Sequence, residues 1–169
     1  MRRIHLFLLF LTLLLATGTG SAADTGGLIG RPAPDCTLEP LSAGAPERLS
    51  ALRGSVVYVD FWASWCTSCV KSFPFLGGME REFGSAGLRV VGVNLDEAAR
   101  DATDFIAAHP VGFALAADRT GDCPRAFQVR AMPSSFLVDR SGIVRHVHLG
   151  FRAGDERVLR AAIESLLTK

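Results

Sequence analysis

Cys66 and Cys69 are separated only by Thr67 and Ser68, at the point where a β-branched and aromatic run gives way to helical spacing. Two thiols so placed, one at the start of a helix and one in its first turn, can close a small disulfide ring. A thiolate at a helix N-terminus meets unpaired backbone N–H groups and the positive end of the helix dipole. Both lower its pKa and raise its population near neutral pH. The hydroxyls of Thr67 and Ser68 are within reach to hydrogen-bond the sulfur. Thiol–disulfide exchange is the chemistry this arrangement suits. The same spacing also occurs as half of a zinc site, but four-coordinate zinc needs two further ligands, usually a second close pair. Cys36 and Cys123 are distant singles and the histidines are scattered, so a metal site is disfavoured, as is a purely structural Cys66–Cys69 bridge.

The pair needs a strand before it and a helix after it. Residues 55–62, Ser-Val-Val-Tyr-Val-Asp-Phe-Trp, read as a buried central strand. Within it Asp60 lies between Val59 and Phe61, which favours burial over a strand-end acid facing water. Residues 69–83 carry Val70, Phe73, Leu76, Met79 and Phe83 at every third or fourth position, the spacing of an amphipathic helix that Pro74 should kink rather than end. Residues 88–95 read as a strand, 98–108 as a helix stopped at His109-Pro110, 113–116 as a short strand and 122–127 as a short helix. Residues 135–139 and 143–149 read as a hairpin around Arg140-Ser141-Gly142. A final helix carries the stripe Val158, Leu159, Ala162, Ile163, Leu166 and Leu167, with Asp155 and Glu156 at its positive end. An N-terminal hairpin is expected from residues 36–38 and 47–49 around a turn at 42–46. The class is therefore α/β, with a mixed central sheet flanked by helices on both faces.

Residues 1–23 read differently. Arg2 and Arg3 precede an apolar stretch at 6–16, and Ser21-Ala22-Ala23 supplies small residues before a polar chain. This is the pattern of a secretory signal peptide cleaved near Ala23, with a retained membrane anchor as the alternative. The apolar stretch is short against the roughly 20 residues that a membrane span requires. One domain, 24–169, follows. Removing the leader takes away two of 18 basic residues and none of the 17 acids, leaving a charge near −1 and no basic footprint for nucleic acid. Export would place the four cysteines in an oxidising compartment where disulfides persist.

Residues 58–69, Tyr-Val-Asp-Phe-Trp-Ala-Ser-Trp-Cys-Thr-Ser-Cys, with Pro74 five residues later, resemble the active-site strand and helix of thioredoxins. Ala33-Pro34-Asp35, the run 90–96 and the run 132–139 beginning Met132-Pro133 are similar to the TlpA/ResA-like periplasmic branch of that superfamily. The resemblance spans residues 31–167 and implies a thioredoxin fold with a β-α insert, into which residues 98–116 fit. It implies that Cys66 is the attacking thiolate at the exposed end and Cys69 the more buried resolving thiol. Asp60 matches the buried carboxylate that shuttles the second thiol's proton. Met132-Pro133 corresponds to the cis-proline that faces the pair and receives an extended client peptide. Trp65 would be a contact surface beside the nucleophile, whereas Trp62 would pack. No cofactor is implied.

The branch mostly reduces clients, such as apocytochrome c for cytochrome c maturation or copper-site cysteines. A membrane electron donor of the DsbD/CcdA type would re-reduce it. The chain departs from the branch at Ser68, where proline is common, at Ser72, where an acid is common, and at Cys36 and Ser134-Ser135. These changes bear on potential and client choice. Rival readings are a Cu(I) metallochaperone using Cys66 and Cys69 as soft ligands and a peroxiredoxin-like peroxidase. The first usually has one more residue between its cysteines and a dedicated histidine. The second needs Pro and Thr upstream of a lone cysteine, and residues 61–65 offer neither.

Cys36 and Cys123 complete an even count, so a second, structural bridge is expected if their Cα atoms approach, with two buried free thiols as the alternative. His146 and His148 share a strand face at i, i+2, which can chelate a metal, but nothing nearby completes a site and a solvated face is expected. His109 before Pro110 reads as a helix-end residue.

Overall fold

The computed structural model describes residues 27–169, so the leader expected at 1–23 lies outside the described residues. Among the described residues no helix is long and apolar enough to cross a membrane. The elements follow as β1 (Glu39–Pro40), β2 (Val56–Trp62), α1 (Thr67–Phe83), β3 (Leu88–Asn94), α2 (Ala99–Ala108), β4 (Ala114–Ala117), α3 (Asp122–Ala126), β5 (Ser134–Val138), β6 (Val144–Leu149) and α4 (Asp155–Leu167). They build one six-stranded sheet in the order β1-β4-β3-β2-β5-β6.

Strand β2 is buried along its whole length, because it is central and covered on both faces. It pairs in parallel with β3, which pairs in parallel with β4, and antiparallel with β5, which returns as the β5–β6 hairpin. Alternation along β2 sends Val56, Tyr58 and Trp62 to one face, where Phe73, Leu76 and Met79 of α1, Phe105 of α2 and Leu159 and Ile163 of α4 meet them. Val57, Val59 and Phe61 point to the other, against Cys36, Leu38, Leu49, Cys123 and Phe127. Asp60, being even-numbered like Tyr58 and Trp62, is thereby committed to the α1 face. The Trp62 ring packs against Phe73 and Phe105 at centroid distances of 5.3 and 5.1 Å, so it holds α1 and the α2 insert on the sheet. Beside it Gly92 is required by space: a Cβ there would lie 2.7 Å from Leu115 Cδ2 and 3.2 Å from Trp62 Nε1.

Helix α1 continues through Pro74 for 17 residues. The insert expected at 98–116 forms as α2 and β4. Two expectations change in detail. The N-terminal hairpin survives only as the Thr37–Arg48 bridge and the Leu38 N–H to Glu47 carbonyl bond, while Glu39 and Pro40 pair with Ala117 and Ala116 of β4. The open edge of β4 offers unpaired backbone groups that a two-residue strand can satisfy, whereas Leu49–Leu52 winds into a 3₁₀ turn and buries Leu49. Val158 also leaves the α4 stripe: it is 52 % exposed, while Leu159, Ile163 and Leu166 carry the buried face.

Candidate active site

The chain leaves β2 at Trp62, crosses three residues and enters α1, so the tip of the central strand delivers the Cys66–Cys69 pair. The crossing loop is tied to the end of β3. Asp96 accepts the Ser64 backbone N–H at 3.1 and 3.0 Å on its two oxygens, and its Oδ1 accepts the Ser64 hydroxyl at 3.0 Å. Asn94 Nδ2 donates to Asp96 Oδ2 at 2.7 Å, and the Leu95 N–H donates to the Trp62 carbonyl at 2.9 Å. Asp96 and Asn94 are buried. Neither was marked by the sequence as touching the loop; an acid directly after a buried strand is the signal that was there to read.

Cys66 is the N-cap of α1, its sulfur accepting the Cys69 N–H at 3.2 Å. The two cysteines are joined as a disulfide with Cα atoms 5.3 Å apart. Cys66 keeps 5 % of its surface and Cys69 none, so in this oxidised state the expected exposure of the first sulfur is small. The neighbouring Trp65, by contrast, is 69 % exposed. The Ser68 hydroxyl lies 3.5 Å from Cys66 Sγ and 3.5 Å from the Met132 carbonyl it can donate to. That carbonyl belongs to the Met132-Pro133 peptide, which is cis. The start of β5 is thus brought against the cysteine pair, more than sixty residues away in the chain. Ser72, where the branch often has an acid, is buried and gives its hydroxyl to the Cys69 carbonyl at 2.9 Å.

Asp60 has no solvent exposure. Its Oδ1 accepts the Ser135 hydroxyl at 2.7 Å, and among the described residues Oδ2 has no partner. Burial pushes its carboxyl up to about 7, and the Ser135 hydrogen bond pulls the other way. Burial first, and then the Asp60 charge, likewise raise Tyr58. A buried acid ionised only above its unfolded range holds more protons folded than unfolded. Its favourable contribution is complete below about pH 4, falls by at most about 1.4 kcal/mol per pH unit, and levels off above about 7. Asp60→Asn is therefore expected to gain stability relative to the parent as pH rises from 4 to 7, read from urea unfolding at several pH values. A gap independent of pH would contradict the raised carboxyl.

On the opposite face the sulfurs of Cys36 and Cys123 are bonded, with Cα atoms 5.3 Å apart. Both residues are buried, and the bridge fastens the N-terminal segment to α3. His148 Nε2 lies 3.0 Å from Asp155 Oδ2, and the His146 ring stacks beside it with a centroid separation of 6.3 Å. The face is thus half-covered rather than freely solvated. Among the described residues no group of three or more metal-ligating side chains converges. His109 caps α2 and stacks on Phe105 at 4.5 Å.

The Redoxin family profile matches residues 28–163. The chain belongs to the Redoxin family. It is 32 % identical over 121 residues to the thiol-disulfide oxidoreductase ResA of Bacillus subtilis, covering 72 % of this chain and 67 % of that one. A solved structure of a candidate thiol:disulfide interchange protein DsbE from Chlorobium tepidum superposes with a TM-score of 0.78 at 43 % identity, covering 82 % of this chain and 97 % of that one. A candidate protein disulfide isomerase from Bacteroides thetaiotaomicron gives 0.73 at 27 % identity, covering 83 % and 91 %. This Redoxin-family chain is a TlpA/ResA-like member of the thioredoxin superfamily and a thiol–disulfide oxidoreductase. Its six-stranded mixed sheet is the thioredoxin-like architecture the sequence led one to expect.

Proposed function

We propose that the enzyme works outside the cytoplasm, in the periplasm, as a reductant of client disulfides. Cys66 is the nucleophile: its thiolate attacks a client disulfide, forming a mixed disulfide and releasing one client thiolate. Cys69 then gives its proton to Asp60 and attacks Cys66 Sγ, releasing the second client thiolate. Two electrons have passed to the client, and the enzyme is left with its Cys66–Cys69 bond closed. The observation that carries the choice of nucleophile is the Cys66 sulfur at the N-cap of α1, where the Cys69 N–H already points at it and will stabilise a thiolate; the reductant direction rests on the likeness to the TlpA/ResA-like branch.

The exposed Trp65 and the cis Met132-Pro133 peptide flank that sulfur and are the client-binding surface. Clients of the cytochrome c maturation or copper-site kind fit a reductant of this branch, and a DsbD/CcdA-type membrane donor returns the electrons. The basic, apolar and small-residue order of residues 1–23 supports export, either cleaved near Ala23 or retained as an anchor. The bridged Cys36 and Cys123 also suit an oxidising compartment.

The test is a redox titration of the exported domain in glutathione and dithiothreitol buffers, reading Cys66 and Cys69 by alkylation and peptide mass. A potential at or below about −270 mV, the thioredoxin range, supports the reductant direction. One near about −120 mV, as for a dedicated oxidant, overturns it.

A further inference from the structure

The register of the sheet lines up Asp60 of β2, Ser135 of β5 and His148 of β6 in one row. Directly paired residues share a face, so the three side chains stand side by side on the α1 face. On the other flank Asp60 is paired with Gly92 of β3, which brings no side chain at all. The groups around the Asp60 carboxyl can therefore be named element by element. Tyr58 lies on its own strand, Ser135 on β5, and His146 and His148 on β6. Asp155 of α4 holds His148, and the cysteine pair comes from α1. None of these is a cation bonded to Asp60. Its one side-chain hydrogen bond among the described residues is the 2.7 Å donation from Ser135 to Oδ1, and Ser135 is itself buried.

We propose that Ser135 is a positioning residue for proton transfer, locking Asp60 Oδ1 as an acceptor so that Oδ2 is the oxygen that takes and returns the Cys69 proton. This rests on the reading of Asp60 as the acceptor for that proton. The physical case is a matter of lone pairs. A hydroxyl donating to Oδ1 stabilises the carboxylate and disfavours a proton on that same oxygen. The proton is directed to Oδ2, the oxygen with no partner. Without Ser135 the carboxyl loses the hydrogen bond that offsets its burial, and it ionises only at higher pH. Orientation and ionisation are thus set by the same hydroxyl. A threonine keeps that oxygen; an alanine removes it.

The test uses the full described domain in reduced form as parent, Ser135→Ala, Ser135→Thr and Asp60→Asn, plus the Ser135→Ala/Asp60→Asn double variant. Two quantities are measured against pH: the ¹³C carboxyl shift of Asp60, and the rate at which Cys69 closes the mixed disulfide formed with oxidised glutathione. Ser135→Ala is expected to raise the Asp60 midpoint by about one pH unit, a tenfold change in protonation, and to carry the rate profile upward with it. Ser135→Thr should follow the parent, and Ser135→Ala should change nothing further in the Asp60→Asn background. An unchanged Asp60 midpoint in Ser135→Ala overturns the proposal, leaving Asp60 as acceptor if Asp60→Asn still slows closure. A parent-like rate profile in Asp60→Asn overturns the acceptor reading, and the role of Ser135 with it.

Discussion

Cys66→Ser is expected to lower disulfide-reductase activity by at least about a thousandfold, because it removes the thiol proposed as the nucleophile. Cys69→Ser should look different. It leaves the Cys66 thiolate able to attack but unable to be released, so a covalent mixed disulfide with the client accumulates instead of product. The two variants together separate the roles: stable client adducts with Cys69→Ser and none with Cys66→Ser, read on non-reducing gels and by intact mass. The asymmetry has a structural origin. Cys66 is the N-cap and sits beside the exposed Trp65, whereas Cys69 is fully enclosed one turn further on and is bonded to Cys66. Adducts trapped on Cys69 rather than Cys66 would reverse the assignment.

Loss of the Cys36–Cys123 bridge is the second large effect expected, and it should fall on stability rather than on catalysis. The bridge links positions 87 apart in sequence. In the chain-entropy account, opening a loop of that length costs about 4–5 kcal/mol, and measured losses for native bridges are about 2–5 kcal/mol. Native stabilities of whole domains are only about 5–15 kcal/mol, so the Cys36→Ala/Cys123→Ala variant should sit close to the threshold for folding at 37 °C. Both cysteines are packed with Val59, Phe61 and Phe127 on the sheet face away from the Cys66–Cys69 pair. The potential of the active pair should therefore be unchanged in the variant. Urea unfolding and the redox titration measure the two quantities independently. A full stability loss with an unshifted potential is the expected pairing, and a shifted potential would show that the two faces of the sheet communicate.

Much of this protein was written in local pattern. The 55–62 run reads as a strand with both faces covered, since every residue but Asp60 is apolar, aromatic or β-branched after Ser55, and β2 occupies Val56–Trp62. The spacing of Phe73, Leu76 and Met79 dictated α1 and its buried face, and two thiols with two residues between them at that junction pointed to redox chemistry over a metal site. Asp60 was legible as a buried acid because its neighbours on both sides left it no wet strand to stand on.

What local pattern does not carry is register. That Ser135 faces Asp60, that His148 stands beyond it, and that the other flank is Gly92, over which Leu115, Phe113 and Trp62 close, follow from how β5, β6 and β3 dock on β2. A slip of one residue in any of them would turn those side chains to the opposite face. The same holds for Asp96, which reaches back to Ser64 only because β2 and β3 end together, and for Met132, whose carbonyl meets Ser68 across the sheet. The N-terminal segment gave up its expected hairpin because the unpaired edge of β4 lay nearby, a competitor invisible from residues 36–49 alone. Spacing along the chain determines which side chains an element turns inward. Only the packing of distant elements decides which of those side chains meet, because the energy of that meeting is shared between partners the local sequence does not contain.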